Sequence, residues 1–77
     1  MSANQTTGRP ANDDMVEGYL DGYKDTRHAL PESLSNRSRS YQHGWLNGRD
    51  DRCGKPRASY AAIFAAAEEA MRLDDLA

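Results

Sequence analysis

The side chains with catalytic or ligating potential are few. Ser38, Ser40 and His43 could be drawn together as nucleophile and base, and His28, His43 and Cys53 as metal ligands. An acyl-transfer site needs a nucleophile, a base and an enclosing pocket. A chain of 77 residues has little interior from which to build one of several hundred Å³. The histidine and cysteine spacings match no zinc pattern and leave the ligand set incomplete. The glycine-rich segments lack the Gly-Lys-Ser/Thr ending of a phosphate loop, so no nucleotide or other cofactor is expected. Cys53 is the only cysteine, which excludes an internal disulfide framework and fits a reducing compartment. The chemistry to expect is binding rather than catalysis.

Charge gives that binding a location. The net charge is −2, but it is unevenly spread: −3 over residues 1–35, +4 over residues 36–58 and −3 over residues 59–77. The basic island consists of Arg37, Arg39, Arg49, Arg52, Lys55 and Arg57. One reading is a phosphate-contacting patch with Tyr41 and Trp45 beside it as stacking platforms, a combination suited to RNA. The other is a solvated helix surface balanced by Asp50 and Asp51. Tyr19 and Trp45 are themselves read as core, because so small a chain needs its aromatics inside.

The elements that must carry these residues are helical. Residues 1–11 are polar and predict a disordered N-terminal tail; residues 12–77 predict a single small domain. A first helix is expected near 13–25, capped by Asn12 or Asp13, with Met15, Val16, Tyr19, Leu20 and Tyr23 at helical spacing. A Pro31-containing linker of about ten residues follows, with Leu30 extended. A second helix is expected near 37–51, ended by Gly54 and Pro56. An Ala-rich third helix is expected near 57–73, with a stripe of Tyr60, Ile63, Phe64, Ala67 and Met71 and an ion pair between Glu68 and Arg72. The stripe is expected to fold back on the helical pair; the alternative is a partner protein or a second copy on the Tyr60, Ile63, Phe64, Met71 face. Asp74 and Asp75 oppose the helix dipole and predict fraying at its end. No apolar run approaches the roughly 20 residues of a membrane span, and a cytoplasmic location is expected.

The first two helices share a near-repeat. Residues 17–25, Glu-Gly-Tyr-Leu-Asp-Gly-Tyr-Lys-Asp, match residues 43–51, His-Gly-Trp-Leu-Asn-Gly-Arg-Asp-Asp, in Gly, aromatic, Leu, Asp/Asn, Gly and Asp at an offset of 26. Glycine inside a helix costs about 1 kcal/mol relative to alanine. Two helices bearing Gly at i and i+4 therefore predict a close pair, with Tyr19 and Trp45 packed near Gly44/Gly48 and Gly18/Gly22.

Gly18-Tyr19-x-x-Gly22, Pro31, Arg37-Ser38 and Tyr41-x-x-Gly44-Trp45, in this order, resemble the ribosome modulation factor family, which includes small ciprofloxacin-resistance proteins. The resemblance spans about residues 14–52. It implies two short helices joined by a linker, and non-catalytic binding to the small ribosomal subunit that blocks translation and promotes inactive ribosome dimers. This chain departs from the family in its acidic balance, in Tyr41 where the family has Trp, in Asp13, Asp14 and Glu17 where the family is basic, and in its third helix. The combined expectation is an all-α fold of two Gly/aromatic-packed helices plus a C-terminal Ala-rich helix. Its expected function is ribosome- or rRNA-associated regulation of translation. The alternatives are a protein–protein adaptor of the same fold and, last, a fluoroquinolone-modifying enzyme.

Overall fold

The computed structural model describes residues 10–76; the expected tail lies outside this range except for Pro10 and Ala11. Three α-helices account for most of it: α1, Ala11–Lys24; α2, Arg39–Arg52; and α3, Tyr60–Leu76. A single 3-10 turn, Glu32–Leu34, interrupts the linker between α1 and α2. No strand occurs among the described residues.

Each helix boundary has a local cause. α1 starts at Ala11, earlier than the sequence suggested, and inside the stretch expected to be disordered. Extended Pro10 occupies its N-cap and neither Asn12 nor Asp13 does. Pro10 has no side-chain acceptor, but its carbonyl takes the amides of Asp13 and Asp14. α2 begins after Ser38, whose Oγ accepts from the Tyr41 amide at 3.0 Å, so Arg37 lies outside the helix. It ends in a glycine cap: Gly54 sits at φ 74°, its amide donates to the Asp51 carbonyl and the Lys55 amide donates to the Asp50 carbonyl. Only glycine adopts this left-handed turn without strain. α3 is capped by Ser59 Oγ, which accepts from the Ala62 amide, and therefore starts after Arg57.

The glycines fix how α1 and α2 meet. A Cβ on Gly18 would collide with the Tyr41 carbonyl, and one on Gly22 with the Trp45 carbonyl. Gly44 stands in the same way against Met15, and Gly48 against Tyr19. Partner numbers rise together along both helices, so α1 and α2 run parallel. The contacts also exchange under the 26-residue offset: Gly18 on Tyr41 becomes Gly44 on Met15, and Gly22 on Trp45 becomes Gly48 on Tyr19. The pair thus has a pseudo-twofold axis running along the helices.

This geometry sets carbonyl oxygens against glycine Cα–H groups, contacts worth about 0.5–1 kcal/mol each. That roughly offsets the helix-propensity cost of the same glycines, about 1 kcal/mol each. The net gain comes from what the close approach covers. Trp45 is fully buried and Tyr41 nearly so. Aromatic side chains bury 150–250 Å², so each contributes on the order of 4–6 kcal/mol by area. In α1 the glycines, and not the apolar stripe, carry the interface: Val16 and Leu20 are more than half exposed.

α3 folds back on α2 by a narrower line than the sequence suggested. Ala70 is buried, Ile63, Ala67 and Met71 are half-buried, and Tyr60 and Phe64 are 75 % and 52 % exposed. The expected stripe is therefore split: Phe64 turns outward with Tyr60, and Ala70 takes its place inward. The expected Glu68–Arg72 pair is replaced by Glu69–Arg72 at 2.6 Å. The end of α3 does not fray at Asp74. Its carboxylate leaves its own helix and accepts from the Arg39 amide at 2.6 Å, the Ser40 amide at 3.0 Å and Ser40 Oγ at 2.6 Å. A charge unfavourable at one helix C-terminus becomes favourable at another helix N-terminus. Because Asp74 reaches the start of α2 while Ile63 shares a cleft with Asp50 and Asp51 near its end, α3 runs antiparallel to α2.

Candidate RNA-facing surface

The basic island does not form one patch. Arg37 and Arg39 stand at the N-terminal end of α2, and Arg49 and Arg52 occupy its last turn, roughly 20 Å away at 1.5 Å per residue. Arg37 lies 3.4 Å from Glu17, and its guanidinium rests 3.8 Å from the centre of the Tyr41 ring. Arg57 makes a two-point ion pair with Asp51. Arg39 and Lys55 have exposed side chains. Arg52 donates to the Tyr23 carbonyl at 3.0 Å and lies 5.6 Å from the Tyr23 ring centre. Arg49 is 7 % exposed.

Parallel packing recruits a residue that the basic island did not include. The C-termini of α1 and α2 lie at the same end, so Lys24, in the last turn of α1, joins Arg49 and Arg52. Two aligned helix dipoles present their negative ends here and favour cations. Tyr23, 42 % exposed, is the aromatic at this end. Tyr41 and Trp45, considered as stacking platforms, are 1 % and 0 % exposed and cannot receive a base without rearrangement. The signal for Lys24 was helix direction, which the local sequence pattern does not encode.

Carboxylates tie the helices together around this surface. Tyr41 Oη donates to Asp21 at 2.7 Å; burial first, and this hydrogen bond second, push the phenol up to about 12. Tyr19 Oη donates to Asp51 at 2.5 Å, which raises the Tyr19 pKa. Asp51 is held below the usual carboxylate range, chiefly by Arg57 and then by Tyr19. Asp25 accepts from the backbone and guanidinium of Arg27, which hold it well below its ordinary value.

The residues considered for catalysis are directed apart. Ser38 Oγ donates to Asp14 and Ser40 Oγ to Asp74, while His43 Nε2 pairs with the Asn47 amide at 3.0 Å. Burial lowers the His43 pKa. Cys53 is exposed. Among the described residues, no three His, Cys, Asp or Glu side chains gather as a metal site. A cleft of about 90 Å³ lies between the end of α2 and the start of α3, lined by Asn47, Asp50, Asp51, Pro56, Arg57, Ala58 and Ile63. That is well below the roughly 300–1,000 Å³ typical of small-molecule pockets. No described helix is long and apolar enough to cross a membrane.

Comparison with protein-family models, curated proteins and solved structures finds no match to this chain.

Proposed function

We propose that this protein is a non-catalytic, RNA-associated regulator of translation that docks on the small ribosomal subunit, as the family it resembles does. The observation that carries the reading is the end where α1 and α2 terminate together. Lys24, Arg52 and Lys55 gather there without a carboxylate partner among the described residues, beside the half-exposed Tyr23 ring. Cations not neutralised by a carboxylate, around an accessible aromatic, suit a phosphate backbone and a splayed base. The motif glycines and Trp45 serve this surface indirectly, by setting the two helix ends side by side.

Co-sedimentation with purified 30S subunits at low and high salt tests the proposal. Three phosphate contacts imply a log–log salt slope of about −2 to −3. Replacing Lys24, Arg52 and Lys55 together with Gln should abolish most of that slope while leaving the fold intact. Absence of sedimentation even at low salt would overturn the reading.

A protein–protein adaptor is the second reading, favoured by one observation. Tyr60 and Phe64 pack edge to face at 4.5 Å between ring centres while remaining largely exposed. On that reading, Phe64→Ser removes association with the partner, and the Gln substitutions do not.

A further inference from the structure

Trp45 and Arg49 stand one turn apart on the same face of α2. Trp45 is fully buried and Arg49 is 7 % exposed. The Trp45 Nε1–H and the Arg49 Nε–H are both sealed from solvent, and neither has an acceptor. Indole and guanidinium groups only donate, so these side chains cannot satisfy each other. The nearby carboxylates are committed elsewhere: Asp21 to Tyr41, Asp25 to Arg27, and Asp51 to Tyr19 and Arg57. Asp50, the next residue after Arg49, lines the cleft under α3 on a different side of α2. The helix C-termini favour a positive charge at this end, but a dipole supplies no acceptor to either N–H.

A sealed N–H donor left without an acceptor is costly for a protein to hold. Here one such donor, on Arg49, stands one turn along the same helix from a second, on Trp45, and Arg52 three residues further on adds positive potential. We propose that Trp45 and Arg49 form a receptor for one small oxyanion, the carboxylate or phosphate group of a free molecule. Its oxygens would take the guanidinium fork and the indole N–H together. This site is separate from the exposed Lys24, Arg52 and Lys55 surface and does not depend on ribosome binding.

Trp45 is the only tryptophan, so its fluorescence reports the site directly. The probes are inorganic phosphate, acetate and a short single-stranded RNA, each titrated at constant ionic strength against sodium chloride. The expected result is a saturable change in Trp45 emission with phosphate or acetate. A rise in Tm of roughly 10 °C should accompany it at about a hundredfold excess over Kd. Response to only one of the two identifies which oxyanion is taken. Arg49→Lys keeps the charge but loses the fork, and should weaken binding at least tenfold. Trp45→Phe, followed by Tm alone, should also weaken it. An unchanged wild-type Tm and emission would overturn the proposal. So would an equal response in Arg49→Lys, or a response to RNA alone.

Discussion

At Gly44 the usual rule for helices should change sign. Alanine in place of glycine ordinarily stabilises a helix by about 1 kcal/mol. A Cβ here has the Met15 carbonyl in its way, and that carbonyl belongs to a helix backbone that cannot turn aside. Gly44→Ala should therefore destabilise the protein by about 2 kcal/mol or more, in the range of core overpacking, as read from urea unfolding. Equal or higher stability would contradict the close approach. Tyr41 carries a pH dependence whose direction follows from its raised pKa. The folded protein holds the phenol proton up to about 12, whereas the unfolded chain releases it near 10. Its stabilisation is complete below pH 10 and is lost as the pH climbs through 12. Between about pH 9 and about pH 11.5 the wild-type urea midpoint should fall further than that of Tyr41→Phe. Parallel curves would remove Tyr41 as the cause.

Helices are held here by groups borrowed from other helices, and this bounds what the sequence could disclose. Asp74 caps α2 from the end of α3. Asp74→Ala should cost about 1 kcal/mol, as the loss of an N-cap does, and should loosen α3 from its C-terminal end. Hydrogen exchange would show faster amides over residues 70–76; unchanged protection would remove the latch. α2 and α3 were legible from Ser38, Gly54, Pro56 and the Ala-rich run, and α1 from its apolar spacing though not from its cap, because those signals act within a turn or two. Asp74 looked destabilising because its partner is 34 residues away from it at Ser40. Phe64 and Ile63 stand about 100° apart around the helix axis, at two edges of one stripe, and only the direction of approach of α3 decides which one turns inward. The candidate cations were legible as residue types, but not as a surface. Parallel packing added Lys24, burial withdrew Arg49, and Glu17 and Asp51 engaged Arg37 and Arg57.

The described residues span 38 × 29 × 17 Å, and the short dimension is less than two helix diameters. The helices therefore lie in one layer, and the core is correspondingly small: Pro31, Tyr41, Trp45 and Ala70 are its buried apolar members. α3 contributes only the last of these, so a chain ended at residue 58 should keep the helical pair. Its Trp45 emission should stay blue-shifted like that of a buried indole, with helicity reduced by the loss of α3. A red shift to the emission of a solvated indole would show that α3 is required. The pseudo-twofold pair has one more consequence. Each half offers the surface that the other half needs, as the two subunits of a symmetric dimer would. The 14 residues between Lys24 and Arg39 must return along the length of a parallel helix, roughly 20 Å, and their extended reach of about 46 Å is ample. That tether holds the two halves at an effective concentration in the millimolar range. Cutting it should make folding of the pair depend on protein concentration, turning a first-order event into a second-order one.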